Sequence, residues 1–237
     1  RPIIWLCSAA AADAAKKSKA PPPAYVGTAI TRKGYMRNAH WSLLPLAILA
    51  LLLSACGGPT PAANGKLNIV STVSPVTNIV YNIGGDRINL SGIVPEGVNS
   101  HTFEPVPSDA QKLARADLIF INGLNLEVPS LALAGANKNE SAKIILLGEQ
   151  TITPDEYIYD FSFPKEAGSP NPHLWPNPLN GLRYAEIVRE ALVQRDPANA
   201  DYYNGNYTAF EARIRALDTA IQAAIDSIPP DNRKLLT

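Results

Sequence analysis

The side chains best equipped for chemistry in this sequence are two histidines, each in a turn framed by prolines. His101 lies in Gly97-Val98-Asn99-Ser100-His101-Thr102-Phe103-Glu104-Pro105-Val106-Pro107-Ser108-Asp109, and His173 in Pro170-Asn171-Pro172-His173-Leu174-Trp175-Pro176-Asn177-Pro178. The only other histidine is His40. Proline stiffens the backbone on either side and so fixes where each imidazole points. Neutral imidazole is a ligand for zinc, manganese and related divalent ions, with carboxylates and water completing the shell. An isolated loop histidine is more often a surface or capping group, and two ligands do not make a site, since four are usual. The pattern alone leaves both readings open.

The neighbouring candidates read more plainly. Glu104, three residues after His101, is expected to be a structural carboxylate, hydrogen-bonded to local backbone or to the start of the next helix. Trp175 is expected to pack rather than to act as a cation–π partner. Asp155, Glu156, Asp160 and Glu166 read as a solvated loop. Asn122 and Asn125 flank Gly123 in a turn that shapes a rim without touching a ligand. Cys7 and Cys56 are the two cysteines of the chain, so the body after Cys56 can form no disulfide framework, CxxC pair or cysteine-based zinc cluster. It contains no HExxH, GxSxG, GxGxxG or Walker pattern, so hydrolase and nucleotide-binding chemistry have no motif to rest on.

Elements able to hold such turns follow in alternation. Leu67–Thr72, Ile88–Val94, Asp117–Asn122 and Ala142–Leu147 are apolar, β-branched runs that predict buried strands. Helices are expected from Ser74 (as N-cap, with Pro75 at the first helical position) to Gly84-Gly85, from Ser108-Asp109 to Ala116, as a short piece within 127–137, and over Asn180–Gln194. A loop spans Gly148 to Pro172. From Asn199 to Ile228, Tyr203, Tyr207, Phe210, Ile214, Leu217, Ile221, Ile225 and Ile228 form one apolar stripe on one long helix, which Pro229-Pro230 ends. Asn232–Thr237 resembles a strand beginning. Strand–helix alternation with unbroken apolar strands predicts an α/β fold, a parallel sheet with helices on both faces. His101 then falls after the second strand, at the carboxyl edge where open α/β sheets bind ligands.

Composition supports a packed body. The chain has 237 residues, 46% apolar and 18% charged, which excludes a disordered, collagen-like or coiled-coil chain. The formal net charge is zero, but residues 1–55 hold seven Lys/Arg and one acid, so the remainder carries 21 − 7 = 14 bases and 21 − 1 = 20 acids. A net of −6 on the body argues against nucleic acid as a partner.

The front of the chain reads as processing sequence. Residues 8–23 are Ala-, Lys- and Pro-rich, and the only methionine is Met36. Arg37 and the apolar run Leu43–Leu53 have the make-up of a signal peptide, and the run is too short to span a bilayer. Leu53-Ser54-Ala55-Cys56 resembles a bacterial lipobox, in which Cys56 becomes the lipidated first residue. The expected division is upstream or disordered sequence over 1–35, signal peptide over 36–55, flexible tether over 56–66, a first lobe over 67–195, a long helix over 196–228 and the opening of a second lobe over 229–237.

Taken together, the lipobox, the SHTFEPVPSD segment at 100–109, ADLIFINGLNLE at 116–127, NPHLWPNP at 171–178 and the long helix resemble the cluster A-I metal-binding solute receptors of bacterial ABC transporters. That resemblance covers about Lys66 to Thr237. It implies two α/β lobes joined by a rigid helix, with zinc or manganese bound between them and delivered to an ABC permease and its ATPase. The receptor would be a lipid-anchored, extracytoplasmic monomer and not an enzyme. By motif position, His101 and His173 are the first two metal ligands. The third (His or Glu) and the fourth (an acid) would lie beyond Thr237, with most of the second lobe. Val106 and Pro176 depart from the family pattern without touching a ligand position. A metal-binding adhesin or a secreted metallohydrolase are the alternative readings.

Overall fold

The computed structural model describes residues 64–234. Cys56, the signal segment and Leu235–Thr237 lie outside the described residues. Four strands, β1 (Leu67–Ser71), β2 (Ile88–Gly92), β3 (Leu118–Ile121) and β4 (Lys143–Leu146), form one sheet in the order β2-β1-β3-β4. Every pairing is parallel, with Leu67 opposite Ile88, Ile69 opposite Leu118 and Leu118 opposite Lys143. The α/β parallel-sheet expectation holds.

The unbroken apolar strands are explained by two cores. Ile69, Leu118, Phe120 and Ile145 enter one, and Val70, Ile119 and Ile121 enter the other, following the period-two alternation of a strand. The first core is closed by α1 (Ser74–Gly84), α5 (Pro178–Arg195) and the start of α6 (Ala200–Asp226). The second is closed by α2 (Pro107–Ala114) and α3 (Val128–Asn137) through Leu113 and Ala134. Both faces of the sheet are therefore covered, as the strand composition requires.

Several boundaries differ from the sequence expectation for local reasons. Val73, not Ser74, is the N-cap of α1; no side chain caps it, and Ser74 and Pro75 are its first two helical residues. Pro107 rather than Ser108 opens α2, where the Asp109 carboxylate accepts the Val106 N–H at 3.0 Å. Glu104 is exposed, so the carboxylate that holds this helix start is Asp109. In α5, Asn177 Oδ1 accepts from Leu179 N at 2.9 Å, which moves the start to Pro178. The expected loop after Leu147 is not all loop. It contains α4 (Leu147–Thr151) and 3-10 turns at Pro154–Glu156 and Lys165–Ala167.

The 3-10 turn Pro197–Asn199 separates α5 from α6. With 27 residues, α6 is about 40 Å long at the usual rise. Its apolar stripe is covered only at the start: Tyr203 and Phe210 are buried, while Leu217, Ile225 and the following Ile228 are exposed. Asn232 lies in a 3-10 turn and Arg233 and Lys234 have no regular structure where a strand beginning was expected. Among the described residues, no helix is long and apolar enough to cross a membrane.

Candidate metal centre

Each histidine is placed by an asparagine two residues earlier. Asn99 Oδ1 accepts the His101 N–H at 3.0 Å. Asn171 Oδ1 accepts the His173 N–H at 3.0 Å. This is the local side-chain-to-backbone turn that asparagine favours. Asn-Ser-His and Asn-Pro-His are thus two copies of one device, and the shared Asn-x-His spacing was available in the sequence.

The two turns bring the imidazoles together. His101 Nε2 and His173 Nε2 are 3.2 Å apart although 72 residues separate them. Two nitrogens at about 2.05 Å from one tetrahedral ion would be about 3.3 Å apart, so both lone pairs can serve one cation. Phe163 neighbours both rings, tilted at 5.8 Å from His101 and edge-on at 5.6 Å from His173. Trp175 meets His173 edge-on at 5.2 Å and packs against the first core, as expected of a packing residue.

The backbone beside His173 is held from the core. Asn122, at the end of β3, is fully buried. Its Nδ2 donates to Pro172 O at 3.0 Å, and its Oδ1 accepts from Tyr184 Oη–H at 2.8 Å. Glu127 Oε1 accepts from Thr72 Oγ1 at 2.5 Å and from the Asn122 N–H at 2.8 Å. Thr72 directly follows β1 and Asn122 directly follows β3, so Glu127 ties the ends of the two strands between which the chain order reverses. That is the place where open α/β sheets have their crevice. Asn122 therefore does more than shape a rim, and Glu127, overlooked in the sequence, braces it. Asn125 stays at the periphery, donating to Ser169 Oγ at 3.0 Å. The intervening turn is left-handed at three successive residues, Gly123, Leu124 and Asn125, with φ of 82°, 52° and 62°. A Cβ at residue 123 would collide with the Glu149 carboxylate, which accepts from Leu124 N at 2.9 Å.

Electrostatics follow burial. Loss of solvent pushes the Glu127 carboxyl above its usual range, against the lowering effect of its donors. Burial likewise raises the Tyr184 phenol well above its ordinary value. Burial, then the neighbouring His101, hold the His173 imidazole below its usual range, which keeps it neutral and able to donate a lone pair.

Asp155, Glu156 and Glu166 are exposed on the loop, as expected. Asp160 is exposed but engaged: its Oδ2 accepts from Asn171 Nδ2 at 2.6 Å. Among the described residues, no group of three or more His, Cys, Asp and Glu is placed to hold a metal ion. The histidine pair is therefore a two-ligand arrangement within them. Two surface grooves of about 540 and 820 Å³, formed by described residues, lie along the β4 and β2 edges and include neither histidine.

A family model described as zinc-uptake complex component A, periplasmic, matches residues 69–237. The chain is 36% identical over 197 residues to the metal ABC transporter substrate-binding lipoprotein FimA of Streptococcus parasanguinis, spanning 81% of this chain and 62% of that protein. It is 34% identical over 201 residues to the manganese ABC transporter substrate-binding lipoprotein PsaA of Streptococcus pneumoniae, spanning 83% of this chain and 63% of that protein. A solved structure of the Mn-bound periplasmic metal binding protein from Candidatus Liberibacter asiaticus superposes with a TM-score of 0.61 at 30% identity, over 70% of this chain and 59% of that one. The chain thus spans less than two thirds of the length of each. With the matching fold and two converging histidine turns, it belongs to the family of the periplasmic component A of zinc-uptake complexes.

Proposed function

We propose that this chain is the metal-capturing part of an extracytoplasmic ABC-transporter receptor for zinc or manganese. The observation that carries the reading is the convergence of His101 Nε2 and His173 Nε2 to 3.2 Å from turns built independently on Asn99 and Asn171. Nothing in ordinary packing requires two partly exposed loop imidazoles to share one point. A divalent ion with nitrogen affinity does. Residues 67–195 act as the first lobe, 196–228 as the linking helix and 229–237 as the opening of a second lobe that completes the ligand set. Lipidation at Cys56 anchors the receptor to the membrane, and the ABC permease and its ATPase receive the metal. The role is capture and delivery, without turnover of the cargo. The lipoprotein relatives and the Mn-bound structural neighbour support this assignment.

Titration of ZnCl2 and MnCl2 into the full chain, followed by calorimetry, tests it. The expected result is binding that weakens by about 100-fold or more in the double variant His101→Ala/His173→Ala with unchanged circular dichroism, a loss at or beyond the upper end seen for supporting residues. Unchanged affinity in that variant overturns the assignment.

A further inference from the structure

We propose that Asp160 is a positioning residue for the His173 ring, acting through Asn171. The relevance to metal rests on reading the histidine pair as the metal site.

The argument begins at the ring. His173 Nδ1 lies 2.8 Å from Asn171 Oδ1. An amide oxygen only accepts, so Nδ1 carries the proton and Nε2 keeps its lone pair. That is the tautomer in which Nε2, 3.2 Å from His101 Nε2, can ligate a cation. The amide is fixed at its other end by Asp160, whose Oδ2 accepts from Asn171 Nδ2 at 2.6 Å. A carboxylate only accepts, so the amide nitrogen must face it and the amide oxygen must face the ring. Charge-assisted hydrogen bonds of this kind are the stronger ones.

The second carboxylate oxygen has a separate task. Asp160 Oδ1 accepts from the N–H of Ser162 at 2.8 Å and of Phe163 at 3.0 Å. This closes the turn that carries Phe163 against both imidazoles. One exposed side chain therefore fixes the ring's tautomer with one oxygen and seats its aromatic neighbour with the other.

That division makes the proposal testable. In Asp160→Asn a single amide oxygen faces two sets of donors; the two backbone N–H groups of the turn outnumber the one amide of the relay, so the relay is lost. The exchanged pair Asp160→Asn/Asn171→Asp restores both: the loop amide donates to the new carboxylate, whose other oxygen accepts from the ring. Nitrogen-15 NMR of the histidine side chains in the metal-free full chain reads the His173 tautomer, and ZnCl2 titration reads its consequence. The parent is expected to hold the proton on Nδ1. Asp160→Asn is expected to lose that preference and about 10-fold in zinc affinity, with an unchanged circular dichroism spectrum. The exchange is expected to recover both. A parental tautomer in Asp160→Asn, or an exchange that recovers nothing, overturns the proposal. A tautomer that responds as described while zinc affinity stays constant in all three proteins upholds the positioning role and overturns the metal reading.

Discussion

Burial and hydrogen bonding pull against each other at Glu127, and burial prevails. Its carboxylate collects Thr72 and the N–H groups of Asn122 and Gly123, all of which favour the anion, yet desolvation raises its pKa. The folded state then binds a proton more tightly than the unfolded chain, whose carboxyl titrates near 4.5. Where the folded state holds more protons, stability falls as pH rises. The contribution is thus present below the unfolded value and lost as pH rises through the folded one. Urea unfolding should show the parent losing stability relative to Glu127→Gln as pH increases from about 4.5 upward. A difference that stays flat with pH would mean that the donors cancel the desolvation. At this scale the sequence was legible in part. His101 and His173 stood out because prolines framed them, and the paired Asn-x-His turns were open to reading. Glu127 was not, because its partners Thr72 and Asn122 become neighbours only when β1 and β3 pair.

The secondary elements were the most legible part of the chain, and α6 shows how far a pattern reaches. A 3-to-4 apolar spacing runs through its whole length, which identifies a helix but does not say what covers the stripe. Phe210 is 8% exposed and Leu217 is 48% exposed, although both belong to the same stripe. Phe210→Ala should therefore cost about 3–5 kcal/mol in urea unfolding of the full chain. Leu217→Ala should stay within about 0.5 kcal/mol, the range of surface changes. Comparable costs for the two would show that the distal stripe is covered. The strands were legible for a related reason: a run buried on both faces has to be apolar throughout. By contrast, α4 could not be found, since the five residues Leu147–Thr151 are too few for helical periodicity to register. Helix starts shifted by one or two residues where Asp109 and Asn177 supply hydrogen bonds that periodicity does not encode.

For the whole molecule, the question is how binding couples to stability. His101 follows β2 and His173 follows β4, so the histidine pair joins loops from opposite edges of the sheet. Its mutual geometry is set locally by Asn99 and Asn171 and globally by the Asn122–Pro172 contact. An ion held by both rings binds only when the fold has brought the two loops together, because 72 residues separate them along the chain. It must then stabilise the native state by mass action, by about 2.7 kcal/mol at a free concentration 100 times its dissociation constant, less any affinity of the unfolded chain. The excess of 20 acids over 14 bases after residue 55 favours cation approach but gives no such coupling. Diffuse attraction and a built site can therefore be separated by thermal unfolding with added ZnCl2. The parent should gain stability with zinc concentration, and His101→Ala/His173→Ala should not. Equal stabilisation of both proteins would place the zinc outside the histidine pair.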